Sequence, residues 1–175
     1  MTPTSILSGL YPADRDLGEA ELRDLAAAVP ETIDLAPHVR HLPGQRHYER
    51  VHADEHVEIW VICWVEDADT GYHDHDCSRG AVHVVEGEIE EQLLAPGLVP
   101  AHVARRFAAG ATFSFDEAHV HRLRHAGGPH AVSVHAYSPP LGRMGTYELS
   151  ENGALRRRTV PAEEELRPSG ELALV

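Results

Sequence analysis

Residues 47–67, HYERVHADEHVEIWVICWVED, decide the architecture. β-Branched and aromatic residues crowd this run, and Ala68-Asp69-Thr70-Gly71 ends it as a turn. The same character recurs at 80–95, 102–115, 119–140 and 144–160. Pro96–Pro100, Ala109-Gly110, Gly127–Pro129 and Glu151–Gly153 punctuate these runs. Many short strands separated by turns predict a mainly β chain closed as a sandwich or barrel. Upstream the period changes. Leu22, Leu25, Ala26 and Val29 recur at helical spacing, with Pro30 expected to stop the helix. A second short helix is expected within residues 31–40, before Pro43-Gly44. The reading is one domain over 1–175: a helical segment at 1–45, a barrel at 46–160 and an acidic tail at 161–175.

Composition narrows the function. The chain has 175 residues, enough for one domain with a real core, and a formal charge of −13. Such a surface repels phosphate backbones and anionic lipid, so neither nucleic acid nor membrane is an expected partner. Residues 1–16 lack the basic and apolar regions of a signal peptide, and no apolar run reaches the length of a membrane span. Two cysteines, Cys63 and Cys77, are too few for a disulfide framework, so a reducing cytoplasm is expected. All basic residues are arginine, which carries no functional reading. Histidine is abundant, at 14 residues, and raises the prior for a metal site.

Spacing turns that prior into a site. His73-Asp74-His75 places two imidazoles at i and i+2, which point to one face of a strand and can meet on one ion. Gly80 and Gly87 follow, and Gly110 precedes His121 by eleven residues. These stretches resemble the two cupin motifs, with Gly80 where a glutamate ligand usually stands and His125 in place of an asparagine. His73, His75 and His121 are therefore the candidate metal ligands. Three neutral nitrogens suit Zn, Fe, Ni or Cu. Without the glutamate, the site keeps the full charge of a dication, which favours a substrate bringing its own anionic ligand, such as a thiolate.

Ser133-Val134-His135-Ala136-Tyr137 puts a hydroxyl, an imidazole and a phenol on one strand face, an arrangement suited to a relay. With Tyr48-Glu49-Arg50, Cys63-Trp64, the His73–Gly80 stretch, His121-Arg122, Ser133–Leu141 and Met144, the chain resembles the bacterial cysteine dioxygenases from about Tyr48 to Tyr147. That resemblance implies a cupin-type β-sandwich barrel (jelly roll) with short N-terminal helices. It further implies Fe(II) held by His73, His75 and His121, a substrate carboxylate on Arg50 with Tyr48 beside it, and Tyr137 supported by His135 and Ser133. Trp64 would pack behind the pocket, and Ser138-Pro139 would be cis.

The implied reaction adds both atoms of O2 to the sulfur of L-cysteine, giving cysteine sulfinic acid with no external reductant. A monomer is the implied state. Relatives that prefer 3-mercaptopropionate tend to carry glutamine at the position of Arg50, so the arginine favours cysteine. A dioxygenase for another small thiol and a metal-binding cupin without turnover are the competing readings. Vertebrate members join a cysteine to the active-site tyrosine; Gly80 stands at that cysteine's position, so Tyr137 is expected to be unmodified. Cys77 is read as a loop thiol and Cys63 as inert core.

Overall fold

A computed structural model describes residues 6–12, 14–94, 103–149 and 155–162; the expected acidic tail lies almost wholly outside them. Helix α1 spans Glu19–Thr32. Gly18 donates its backbone N–H to Glu21 Oε2 at 3.0 Å, satisfying one free donor at the helix start. The four apolar residues of the expected stripe, Leu22, Leu25, Ala26 and Val29, are all buried. Pro30 does not stop the helix, which runs two residues further. The proline forfeits only its own bond. Ile33 N–H still reaches the Val29 carbonyl at 3.0 Å, and the Thr32 hydroxyl donates to the Ala28 carbonyl at 2.7 Å. The second expected helix is a single 3-10 turn, Ala36–His38. No helix among the described residues is long and apolar enough to cross a membrane.

Nine antiparallel strands follow among the described residues: β1 His47–Ala53, β2 Glu58–Val65, β3 Tyr72–Asp74, β4 Arg79–Leu93, β5 Val103–Ala108, β6 Thr112–Phe115, β7 His121–Ser138, β8 Arg143–Leu149 and β9 Leu155–Pro161. They form one curled sheet in the order β1-β2-β7-β3-β8-β9, with β4 joining β7 to β5 and β6. β7 is the spine. β4 follows it along most of its length, while β2 and β3 pair with opposite ends of its other edge. The result is the cupin-type half-barrel that the sequence predicted.

Each strand of the spine has two faces. Val132, Val134 and Ala136 of β7 join Ile59, Val61 and Cys63 of β2 in the cluster that also contains the α1 stripe. Ile62, Trp64, Val82, Val84, Phe113, Phe115 and Tyr137 make a second cluster inside the curl. Leu22 is completely buried at the helix–sheet contact. Leu22→Ala is expected to lower stability by about 2–5 kcal/mol, as a cavity at a closed contact does; equilibrium urea unfolding checks it.

β4 changes face along its length. Its pairing with β7 shifts register between Val84 and Ile89, around Gly87. Gly87 has φ +72°, and a Cβ there would lie 2.3 Å from the His130 carbonyl oxygen, so only glycine fits. Before the bulges the even residues Val82 and Val84 are buried in the inner cluster; after them the odd residues Ile89 and Glu91 are buried. This switch turns an acidic side chain inward.

Candidate metal centre

β3 is three residues long, yet it positions the site. Its His73 is registered opposite His121 at the start of β7. Asp74, between the two candidate ligands, points the other way and ties β3 down. It accepts hydrogen bonds from Gly145 N–H at 3.1 Å, the Tyr147 hydroxyl at 2.6 Å and Arg157 Nε at 2.6 Å. The ligand atoms of His73, His75 and His121 all lie within 4.8 Å of one another. All three side chains are buried.

Burial pushes each of the three imidazoles below its ordinary range, and the proximity of the others pushes His73 and His75 further, which favours the neutral, lone-pair form. His121 is lowered despite the opposing effect of the hydrogen bond it donates to Glu91. Nδ1 of His73 faces the Gly71 carbonyl at 3.1 Å, and Nδ1 of His121 faces Glu91 Oε1 at 2.9 Å. Both acceptors require Nδ1–H, which leaves Nε2 of each ring as the free lone pair. His75 Nδ1 and Nε2 and His121 Nε2 are buried with no hydrogen-bond partner among the described residues. Orphaned buried nitrogens converging on one point are what a cation would satisfy. The donor set fits a divalent transition metal with three imidazole ligands.

Gly80, at the expected glutamate position, has no room for a side chain. It is registered opposite Tyr137, and a Cβ there would lie 2.4 Å from the Phe115 ring. The phenylalanine takes that space, stacking on His75 with centroids 4.6 Å apart. Tyr137 lies against the same imidazole at 5.3 Å. Cys77 is exposed in the loop after His75, so the cysteine position beside Tyr137 is held by Gly80, as expected. Cys63 is buried, and that burial raises its thiol pKa. Ser138-Pro139 is cis.

Ser133, His135 and Tyr137 form a hydrogen-bonded row, which Trp64 extends. Trp64 Nε1 donates to Ser133 Oγ at 2.8 Å, Ser133 Oγ contacts His135 Nε2 at 2.8 Å, and His135 Nδ1 contacts the Tyr137 hydroxyl at 3.1 Å. The indole is a donor only, so the serine oxygen accepts from it and its single proton is free to go to His135 Nε2. Burial pushes the His135 pKa down to about 3, so the ring is neutral and carries its proton on Nδ1, facing the phenol oxygen. Tyr137 therefore accepts from His135 and has its own proton to donate elsewhere. Burial, followed by the Glu58 charge, raises its pKa and keeps that proton on.

Arg50 and Tyr48 share a face of β1, opposite Trp60 and Ile62 respectively. The Arg50 guanidinium lies over the Trp60 ring at 5.6 Å and donates to Glu58 Oε1 at 3.1 Å. Glu58 is buried, stands opposite Tyr137, and accepts the Leu141 N–H at 2.9 Å on its other oxygen. Arg46, opposite Trp64 by continuation of the same register, lies over that ring at 5.9 Å. His125 stands four residues up β7 from the candidate ligand His121 and lines a surface depression with Asp67 and Asp69.

Sequence reasoning missed Glu58, Glu91, Phe115 and Arg46. Alternation along β1 and β2 could have found Arg46 and Glu58, since both continue the inward rows of Tyr48 and Trp64. Glu91 was out of reach, because the bulges at Gly87 break that alternation.

A curled antiparallel half-barrel with three neutral histidines converging on its inner face defines a cupin-type protein with a candidate metal centre. The model of the family "Cysteine dioxygenase type I" matches residues 40–150, and the chain belongs to that family.

Solved structures share the fold at low identity. A protein from Thermus thermophilus is 17% identical, with 62% of this chain and 97% of the other covered and a TM-score of 0.53. An uncharacterized conserved protein with a double-stranded beta-helix domain from Klebsiella pneumoniae is 16% identical, covering 71% and 94%, at a TM-score of 0.52. A protein from Bacillus halodurans is 15% identical over 62% and 80%, with a TM-score of 0.52.

Proposed function

We propose that this protein is a cytoplasmic non-haem iron dioxygenase that converts L-cysteine to cysteine sulfinic acid. The observation that carries the reading is the chain from Trp64 through Ser133 and His135 to Tyr137, which sets a protonated phenol against the imidazole of His75. A site that only stored or sensed a metal would have no use for a positioned proton donor.

His73, His75 and His121 would hold the iron, which supplies the redox chemistry that dioxygen needs to react with a closed-shell thiolate. The protein's own groups bind and orient. Arg50 would take the substrate carboxylate with a guanidinium fork, steadied from behind by Glu58. The Tyr137 hydroxyl would donate a hydrogen bond to the reacting thiol or to oxygen, its direction set by His135. Trp64, completely buried, and Phe115, nearly so, would keep water from the inner face. The overall reaction, thiol plus O2 giving sulfinic acid, balances without a further reductant.

Oxygen uptake by iron-loaded protein tests this, with L-cysteine and 3-mercaptopropionate compared and products weighed by mass. Uptake with cysteine and a gain of two oxygen atoms is expected. Preference for 3-mercaptopropionate would overturn the substrate, and no uptake with either thiol would overturn the activity. Arg50→Ala is expected to raise KM for cysteine about 10- to 100-fold with a smaller change in kcat, the loss of charge-assisted hydrogen bonds to a carboxylate. Unchanged steady-state kinetics would remove Arg50 from substrate binding.

A further inference from the structure

Among the described residues, Glu91 is the most deeply buried charged side chain that the proposed chemistry leaves without a role. Its residue exposure is 0%, and it lies on the inner face of β4 after the register shift at Gly87. One oxygen, Oε2, accepts from Arg105 Nε at 3.1 Å and Nη2 at 2.6 Å. The other, Oε1, accepts from His121 Nδ1 at 2.9 Å and from His119 Nε2 at 2.8 Å. Cross-strand register explains the meeting: Glu91 stands opposite Arg105 on β5 and Leu123 on β7, one inward position along from His121.

A carboxylate kept only to pair with Arg105 would need one oxygen and no burial, since the arginine side chain is 46% exposed. Burying an ion is costly unless its remaining lone pairs are used. Here those lone pairs are spent on two imidazole N–H groups. The Arg105 guanidinium on one oxygen and the two imidazoles on the other fill the hydrogen-bonding capacity of a carboxylate. Glu91, His119 and His121 could also be grouped as a metal-binding set. The arginine on Oε2 argues against a second cation there, and one oxygen bridging two donors already satisfies both rings.

We propose that Glu91 is a positioning residue for the metal centre, which fixes the ring and tautomer of His121 so that its Nε2 faces the ion, and which raises the donor strength of that nitrogen. Arg105 tempers the effect by drawing charge to the other oxygen. A carboxylate behind a ligating histidine both orients the ring and makes it a better donor. The inference rests on the three-histidine reading, and the test separates the two.

The experiment is an anaerobic Fe(II) titration of the whole chain against a competing chelator, together with the Fe(III)/Fe(II) midpoint potential. Glu91→Gln is expected to weaken Fe(II) binding about 10- to 100-fold and to shift the potential upward, while the metal-free protein keeps its circular dichroism spectrum. Arg105→Ala, at a half-exposed position, serves as the second variant. It is expected to shift the potential downward without weakening Fe(II) binding, because the whole carboxylate charge then falls to the histidines. Wild-type affinity in a folded Glu91→Gln protein would overturn the proposal. If that variant does not fold, an unchanged potential in Arg105→Ala would overturn it instead. Wild-type protein that binds no Fe(II) would overturn the three-histidine reading itself.

Discussion

His121→Ala is expected to abolish iron retention and turnover together. The side chain is completely buried where β3 meets β7, registered opposite His73. Loss of the ring leaves two candidate nitrogen ligands and removes one of the hydrogen-bond donors to the buried carboxylate of Glu91. Loss of an outer hydrogen-bonding partner typically costs about 10- to 100-fold in metal affinity, and loss of a ligand itself exceeds that. Metal analysis after desalting should find stoichiometric iron in the wild type and background levels in the variant, with oxygen uptake at the blank rate. Iron retained at wild-type level would mean that His121 is not a ligand. Arg105 and His119 still bind Glu91, so the fold is expected to survive and the loss to be specific.

Gly80→Ala is expected to destabilise the protein by about 1–3 kcal/mol, although it adds one methyl group. The new carbon would lie 2.4 and 2.5 Å from two atoms of the Phe115 ring and 3.0 Å from Tyr137 Cδ1. The ring is hemmed in by two imidazoles, stacking on His75 at 4.6 Å and on His119 at 5.2 Å. In a chain of this size such a loss corresponds to a fall in Tm of roughly 2–12 °C, readable by differential scanning calorimetry. Phe115→Leu opens the same space, so the double variant should lose less stability than the sum of the two single ones. Additive losses would mean that Gly80 and Phe115 do not compete for one volume. The same clash would meet the Cβ of any larger residue at position 80.

The three histidines that the fold brings together were legible because each signal is short-ranged, the third from its spacing after Gly110. His73 and His75 are two residues apart, and the Ser133-His135-Tyr137 row needs only the two-residue period of a strand to share a face. The helix stripe was legible for the same reason at a period of 3.6. Pro30 misled because a proline near the end of a helix forfeits one hydrogen bond and no more. Trp64 was placed behind the pocket as packing, but it also donates the hydrogen bond that sets the direction of the whole relay. Nothing along the chain announces that, since residue 64 and residue 133 meet only across the β2–β7 pair.

Sequence alone thus determined the strand-rich class and the cupin resemblance, and marked the three histidines and the tyrosine row as candidates, from alternation along a strand and from motif spacing. Tertiary structure alone decided which charges meet. Glu58 stands behind Arg50 because β2 pairs with β1 in one register. Glu91 reaches His121 because a glycine bulge exchanges the two faces of β4 halfway along its length. Register and bulges are relations between strands, set by the packing of the closed sheet, and a one-residue shift in either would send the same side chains to solvent.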